Sequence, residues 1–107
     1  MIRHNILFKV KINVPAETVE KAIGEFCELQ DKLPNIFSIT GGKCQFHGEK
    51  SSQFFTQTIS HCISIDFKDQ AAYTQFLNDP ITLPAKKSIL NVVEGGYDGL
   101  VGFDFMS

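Results

Sequence analysis

Arg3-His4-Asn5-Ile6-Leu7-Phe8-Lys9-Val10-Lys11 alternates from one residue to the next. His4, Ile6, Phe8, Val10 and Ile12 fall on one face; Asn5, Leu7, Lys9 and Lys11 fall on the other. A period of two is that of a half-buried strand. The same alternation returns in Ser60-His61-Cys62-Ile63-Ser64-Ile65-Asp66-Phe67 and again in Gly102-Phe103-Asp104-Phe105 at the far end of the chain. Two histidines and an aspartate thus occupy alternating positions among apolar residues. That is where a small polar site is built into a sheet.

Between these strands the period changes. Pro15 fixes a helix start, with Glu17 and Glu20 near the positive end of its dipole. Val19, Ala22, Ile23, Phe26, Cys27, Leu29 and Leu33 recur every three or four residues, which predicts one amphipathic helix ending before Pro34. Ile36 to Phe46 reads as a second strand, with a bend or bulge at Gly41-Gly42. Gly48 to Gln53 is a polar loop, and Phe55 to Phe67 a third strand. Asp69 caps a short helix carrying Ala72, Tyr73, Phe76 and Leu77 that Pro80 stops. A further helix runs from Pro84 to Val93, Gly95-Gly96 ends it, and Leu100 to Phe105 closes the chain as a strand. Strand, helix, strand, strand, helix, strand is the split βαβ order. It predicts an α+β, ferredoxin-like domain over residues 1–107, a four-stranded antiparallel sheet with helices on one face.

The sheet's other face carries Leu7, Val101, Phe103 and Phe105. An uncovered apolar face calls for a partner, and the default is a second copy of the chain. Composition excludes other classes. With 107 residues, 43% apolar and 21% charged, the chain has room for one core. A net charge of −2 without a basic stretch argues against nucleic acid, and no apolar run is long enough to span a membrane. Met1 leads straight into a strand pattern rather than a secretory signal. Three cysteines without paired spacing suit a reducing compartment, so the expected location is cytoplasmic. Ten phenylalanines suit either an apolar pocket, an apolar interface or plain core packing.

Taken in order, Arg3-His4 with Phe8-Lys9-x-Lys11, the His61 strand ending in Asp66-Phe67-Lys68-Asp69, Tyr73-x-x-Phe76-x-x-Asp79-Pro80 and Phe103-Asp104-Phe105 resemble the stress-responsive A/B barrel domains. The resemblance covers nearly the whole chain. It implies pairing sheet to sheet into a dimeric α/β barrel. It also implies a distant likeness to plant polyketide cyclases, which promote an aldol condensation in a cavity between sheet and helices. By that likeness the strand histidines match His4 and His61, and the aspartate that orients a histidine matches Asp104. The cyclases' catalytic tyrosine falls at Phe76, their catalytic histidine near Thr82, and a second pocket tyrosine at Phe26. Glu94 to Gly99 is an insertion. Phenylalanine cannot hold a developing enolate, and threonine does not titrate near neutral pH. The cyclase reaction in that form is not expected here.

The candidate polar site is therefore His61, His4 and Asp104, inside a ligand-binding wall of Ile6, Phe8, Phe26, Ile63, Tyr73, Phe76 and Thr82. Its readings stay open. His4–Asp104 is either a pair poised for a ligand or a buried pair that satisfies itself. His61 is either a base facing a cavity or a core histidine. Cys44-x-x-His47 has no second pair to complete a metal site, Cys62 should face the dimer side, and Lys86-Lys87 reads as a solvated helix face. The expectation is a homodimer that binds a small apolar or aromatic carbonyl or hydroxyl compound, with no cofactor and no metal. Two alternatives are a cofactor-free lyase, cyclase or monooxygenase using His61 or His4 as base, and a structural stress-protective dimer.

Overall fold

The computed structural model describes residues 1–107, at Ser51 the backbone alone. Four strands, β1 (Ile2–Phe8), β2 (Ile36–Lys43), β3 (His61–Phe67) and β4 (Val101–Met106), form one antiparallel sheet in the order β2-β3-β1-β4. Four α-helices join them: α1 (Ala16–Cys27), α2 (Glu49–Thr58), α3 (Gln70–Asn78) and α4 (Leu83–Val92). This is the ferredoxin-like arrangement, and β1 lies between β3 and β4 as the alternating ends of the chain require.

Local chemistry explains the helices that cover the sheet. Pro15 holds extended backbone at the entry to α1, and Val19, Ala22, Ile23 and Phe26 are the buried stripe. The helix tightens into a 3-10 turn over Glu28–Asp31 that still buries Leu29. Asn35, at φ 64°, then reverses the chain into β2. The Asp69 carboxylate accepts the Ala72 N–H at 2.9 Å and caps α3. Pro80 does stop α3, but it opens a 3-10 turn over Pro80–Thr82 that leads directly into α4. α1, α3 and α4 press on one sheet face, where Ile39, Ile63, Ile65 and Phe67 meet Phe26, Phe76, Ile89 and Val92. A fully buried ring such as Phe67 contributes about 2–3 kcal/mol by removal from water.

Three expectations are corrected. Residues expected as a loop over 48–53 and as the start of the third strand form α2 instead. Gly48, at φ 95°, breaks the extended backbone, Glu49 stands in the first helical turn, and β3 begins only at His61. Phe54 and Phe55 lie on the outside of that helix rather than in a strand, with Phe55 stacked on Phe46. Gly41-Gly42 is not the bulge. Both glycines pair regularly with Ile63 and Cys62, and the register slips at Phe37, between Ile36 and Ser38. Gly41 is needed for close approach: a Cβ there would lie 2.9 Å from Ile23 Cγ2 of α1. Finally, Ile12 is 83% exposed beyond the end of β1, and Val10 keeps only an isolated bridge to Val93.

Candidate functional site

β1 and β4 run side by side with His4 opposite Asp104 and Ile6 opposite Gly102. The period of two turns all four toward the helices. Over them, α3 contributes Tyr73 and Phe76, and α4 contributes Lys86 and Ile89, leaving a cleft of about 550 Å³. That is within the range of small-molecule sites. The wall is aromatic. His4 meets the edge of Tyr73 at 5.2 Å between ring centroids, Tyr73 meets Phe67 at 4.9 Å, Phe67 meets Phe76 at 5.3 Å, and Phe76 meets Phe26 at 5.9 Å. Edge-to-face contacts of this kind fix ring orientation as well as burying area.

At the polar end, His4 Nδ1 is hydrogen-bonded to the Asp104 carboxylate. A carboxylate carries no hydrogen, so the shared proton sits on Nδ1. The Tyr73 hydroxyl is 3.2 Å from the same nitrogen and donates its own hydrogen to Asp104. Burial first, then the Asp104 charge and that hydrogen bond, push the Tyr73 pKa up, so the phenol stays protonated. Both hydrogen bonds of the imidazole's neighbours fall on the Nδ1 side. Nε2 engages none of the described groups, and in the neutral ring it carries the lone pair. Gly102 keeps the floor beside it clear: a Cβ there would sit 3.7 Å from His4 Cε1.

The opposite sheet face is uncovered. Val101, Phe103 and Phe105 are about half exposed. Beside them, Arg3 Nε donates to Asp66 Oδ1 at 2.6 Å and its NH2 group to Oδ2 at 2.9 Å, while Ser38 donates to Oδ2 at 3.1 Å. The Arg3 hydrogen bond holds the Asp66 pKa below its ordinary value. Asn5 is 6% exposed, accepts from Ser64 at 2.6 Å, and has an Nδ2 without a partner among the described residues.

Residues 2–107 match the stress responsive A/B barrel domain. The chain belongs to that family. No curated protein matches it. Among solved structures, the protein At3g17210 of Arabidopsis thaliana superimposes with a TM-score of 0.82 at 18% identity, over 100% of this chain and 95% of that one. A dimeric ferredoxin-like protein of unknown function from Jannaschia gives 0.81 at 17% identity, over 99% and 98%. A hydroxynitrile lyase from Passiflora edulis gives 0.78 at 17% identity, over 99% and 92%. At such identities the likeness concerns the fold.

This A/B barrel chain brings together only part of the residue set expected from its sequence. His4, Ile6, Phe26, Tyr73 and Phe76 line the cleft, with Asp104 behind His4. His61 does not join them. It pairs with Phe8, at the other end of β1 from His4, roughly 13 Å along a strand. There it stacks on the Phe8 ring, receives a 2.8 Å contact from Ser60 Oγ at Nδ1, and lines a second cleft under α1 with Lys43 and Glu20. Phe8, Ile63 and Thr82 are not cleft wall either. They are 1%, 0% and 0% exposed, and the Thr82 hydroxyl donates to the Asp79 carbonyl at 2.8 Å. Residues whose side chains face the helices are divided between core and cleft by where the helices sit, which alternation cannot show.

Seven residues of the cleft lining lie outside the expected set, Gly102, Tyr97 and Lys86 among them. Gly102 was legible, since it lies two positions from Asp104. Tyr97 lay within the stretch read as an insertion. Lys86 was read as solvated, yet its ammonium lies 5.2 Å from the centroid of the Phe76 ring inside the cleft. Among the described residues, no helix is long and apolar enough to cross a membrane. Among the described residues, no three His, Cys, Asp or Glu side chains gather as a metal site.

Proposed function

We propose that the chain is a homodimer in which the cleft between β1, β4, α3 and α4 binds a small apolar or aromatic molecule carrying a carbonyl or hydroxyl group. One observation carries the reading. Asp104 and Tyr73 fix the His4 ring through Nδ1, and Nε2 is left over beside a floor kept open by Gly102. A pair that merely satisfied itself would not need an apolar cleft around its unused nitrogen. The dimeric state of the Jannaschia relative supports self-association through the apolar face of Leu7, Val101, Phe103 and Phe105. The three free cysteines suit a cytoplasmic setting.

The test is titration of isotope-labelled protein with 4-propylphenol, whose hydroxyl can donate to His4 Nε2, read as amide shift changes. Binding should perturb residues of β4 and α4. His4→Leu should weaken it about tenfold, the worth of one lost hydrogen bond, and His61→Leu should leave it unchanged. Equal affinity in the wild type and His4→Leu would remove His4 from the site.

The Asp104-oriented imidazole also favours a second reading, in which the cleft runs a cofactor-free proton transfer with His4 Nε2 as base. A lyase on the same fold in Passiflora edulis supports that possibility. Exchange of the methyl hydrogens of 4-propylacetophenone in heavy water measures it directly. Exchange no faster than in buffer, or undiminished in His4→Leu, rejects it.

A further inference from the structure

Lys86 stands in an unusual position for a lysine beside another lysine on a helix. Lys87 is exposed, whereas Lys86 is half-buried and extends along the cleft wall with its ammonium over the Phe76 ring. None of the ion pairs among the described residues involves it. The Asp104 carboxylate behind His4 is already engaged by His4 and by the Tyr73 hydroxyl. Among the described residues, the cleft lining therefore holds a cation with a ring face as its partner and no carboxylate. An ammonium withdrawn from water in this way costs free energy unless an opposite charge or an aromatic face offsets it. Burial accordingly lowers the Lys86 pKa.

Building on the ligand reading of this cleft, we infer that Lys86 selects organic acids, so that the bound molecule is an apolar or aromatic carboxylate whose charge is met by the Lys86 ammonium. The shape agrees. A cleft of about 550 Å³ takes a single substituted ring with room for a short chain. The aromatic wall would bury the ring, and a charge-assisted hydrogen bond at Nζ would hold the acid group. Neutral molecules of the same shape would gain the burial and lose the charge.

The experiment compares 4-propylbenzoate with 4-propylacetophenone, which differ in charge at one end. Affinities are measured for wild type, Lys86→Met and Lys86→Arg. The wild type should prefer the benzoate by about tenfold or more. Lys86→Met, which keeps an apolar stem over Phe76, should bind the two probes alike and so lose the preference. Lys86→Arg should restore most of it. Equal binding of both probes by the wild type overturns the assignment and leaves the ligand reading standing. So does an equal loss for both probes in Lys86→Met, which would mean that Lys86 serves packing alone. Failure of the wild type to bind either probe overturns the ligand reading, and the Lys86 assignment falls with it.

Discussion

Burial of the His61 ring, and after it the charge of Lys43, hold the His61 pKa below its ordinary 6.5. The unfolded chain therefore takes up this proton at a higher pH than the folded one does. Stability from this group is complete above about pH 6.5 and falls as the pH drops from there toward the folded-state value. Asp66 acts in a separate window. Its pKa lies below 3.8 because Arg3 and Ser38 bond the charged form, so its contribution is lost only as the pH falls through that lower range. Urea midpoints at pH 7.5 and 5.0 separate the two. The wild type should be less stable at pH 5.0, and His61→Leu should reduce that difference. An undiminished difference in the variant would place the acid sensitivity elsewhere. At this scale the sequence was legible in part. Strand register put His4 beside Asp104, since the first and last strands had to be neighbours. It could not show that the His61 ring packs on Phe8 under α1, because both histidines share one face and differ only in which helix lies above them.

Two glycines show how elements meet. At Gly41, a Cβ would encounter side chains, Ile23 Cγ2 at 2.9 Å and Ile63 Cγ1 at 3.1 Å, as well as the Cys62 carbonyl at 3.2 Å. At Gly99, it would lie 1.9 Å from the Glu94 carbonyl oxygen, which is backbone. Side chains can shift by a few tenths of an ångström; a turn can yield only by moving as a whole. Gly41→Ala should cost about 1–3 kcal/mol, the usual range for overpacking. Gly99→Ala should cost more and should also disturb the cleft, because Tyr97 and Leu100 flank the same turn. Urea denaturation of the two variants gives the order, and a smaller loss at Gly99 would contradict it. The misread α2 belongs here too. Phe54-Phe55 looked like strand because of its apolar pair, but Gly48 at positive φ and the acidic first turn set a helix whose rings point outward.

For the whole molecule, the question is what covers the open sheet face. Val101, Phe103 and Phe105 form an apolar edge beside the Arg3–Asp66 pair, and Arg3 itself lies 5.5 Å from the Phe105 ring centroid. Asn5 brings to the same face a buried Nδ2 with no acceptor among the described residues. A second sheet would cover the rings, as apolar patches of this kind require. Phe103→Asp places a charge in that surface and should turn a dimer into a folded monomer in sedimentation analysis, with circular dichroism unchanged. A folded dimer in the variant would show that copies meet elsewhere.

The sequence by itself determined the order of strands, the face taken by the residues of β1, β3 and β4, the antiparallel neighbours β1 and β4, and the His4–Asp104 pairing. These follow from a period of two and from the split βαβ order, both local properties of the chain. The tertiary structure alone decided which inward-facing residues form core and which line a cleft. Phe8, Ile63 and Thr82 lie sealed beneath the helices, His61 was carried to a second cleft, and Lys86 was drawn over Phe76 into the first. The reason is geometric. Alternation assigns a side, but the gap between α3, α4 and the edge of the sheet depends on where helices distant in sequence come to rest.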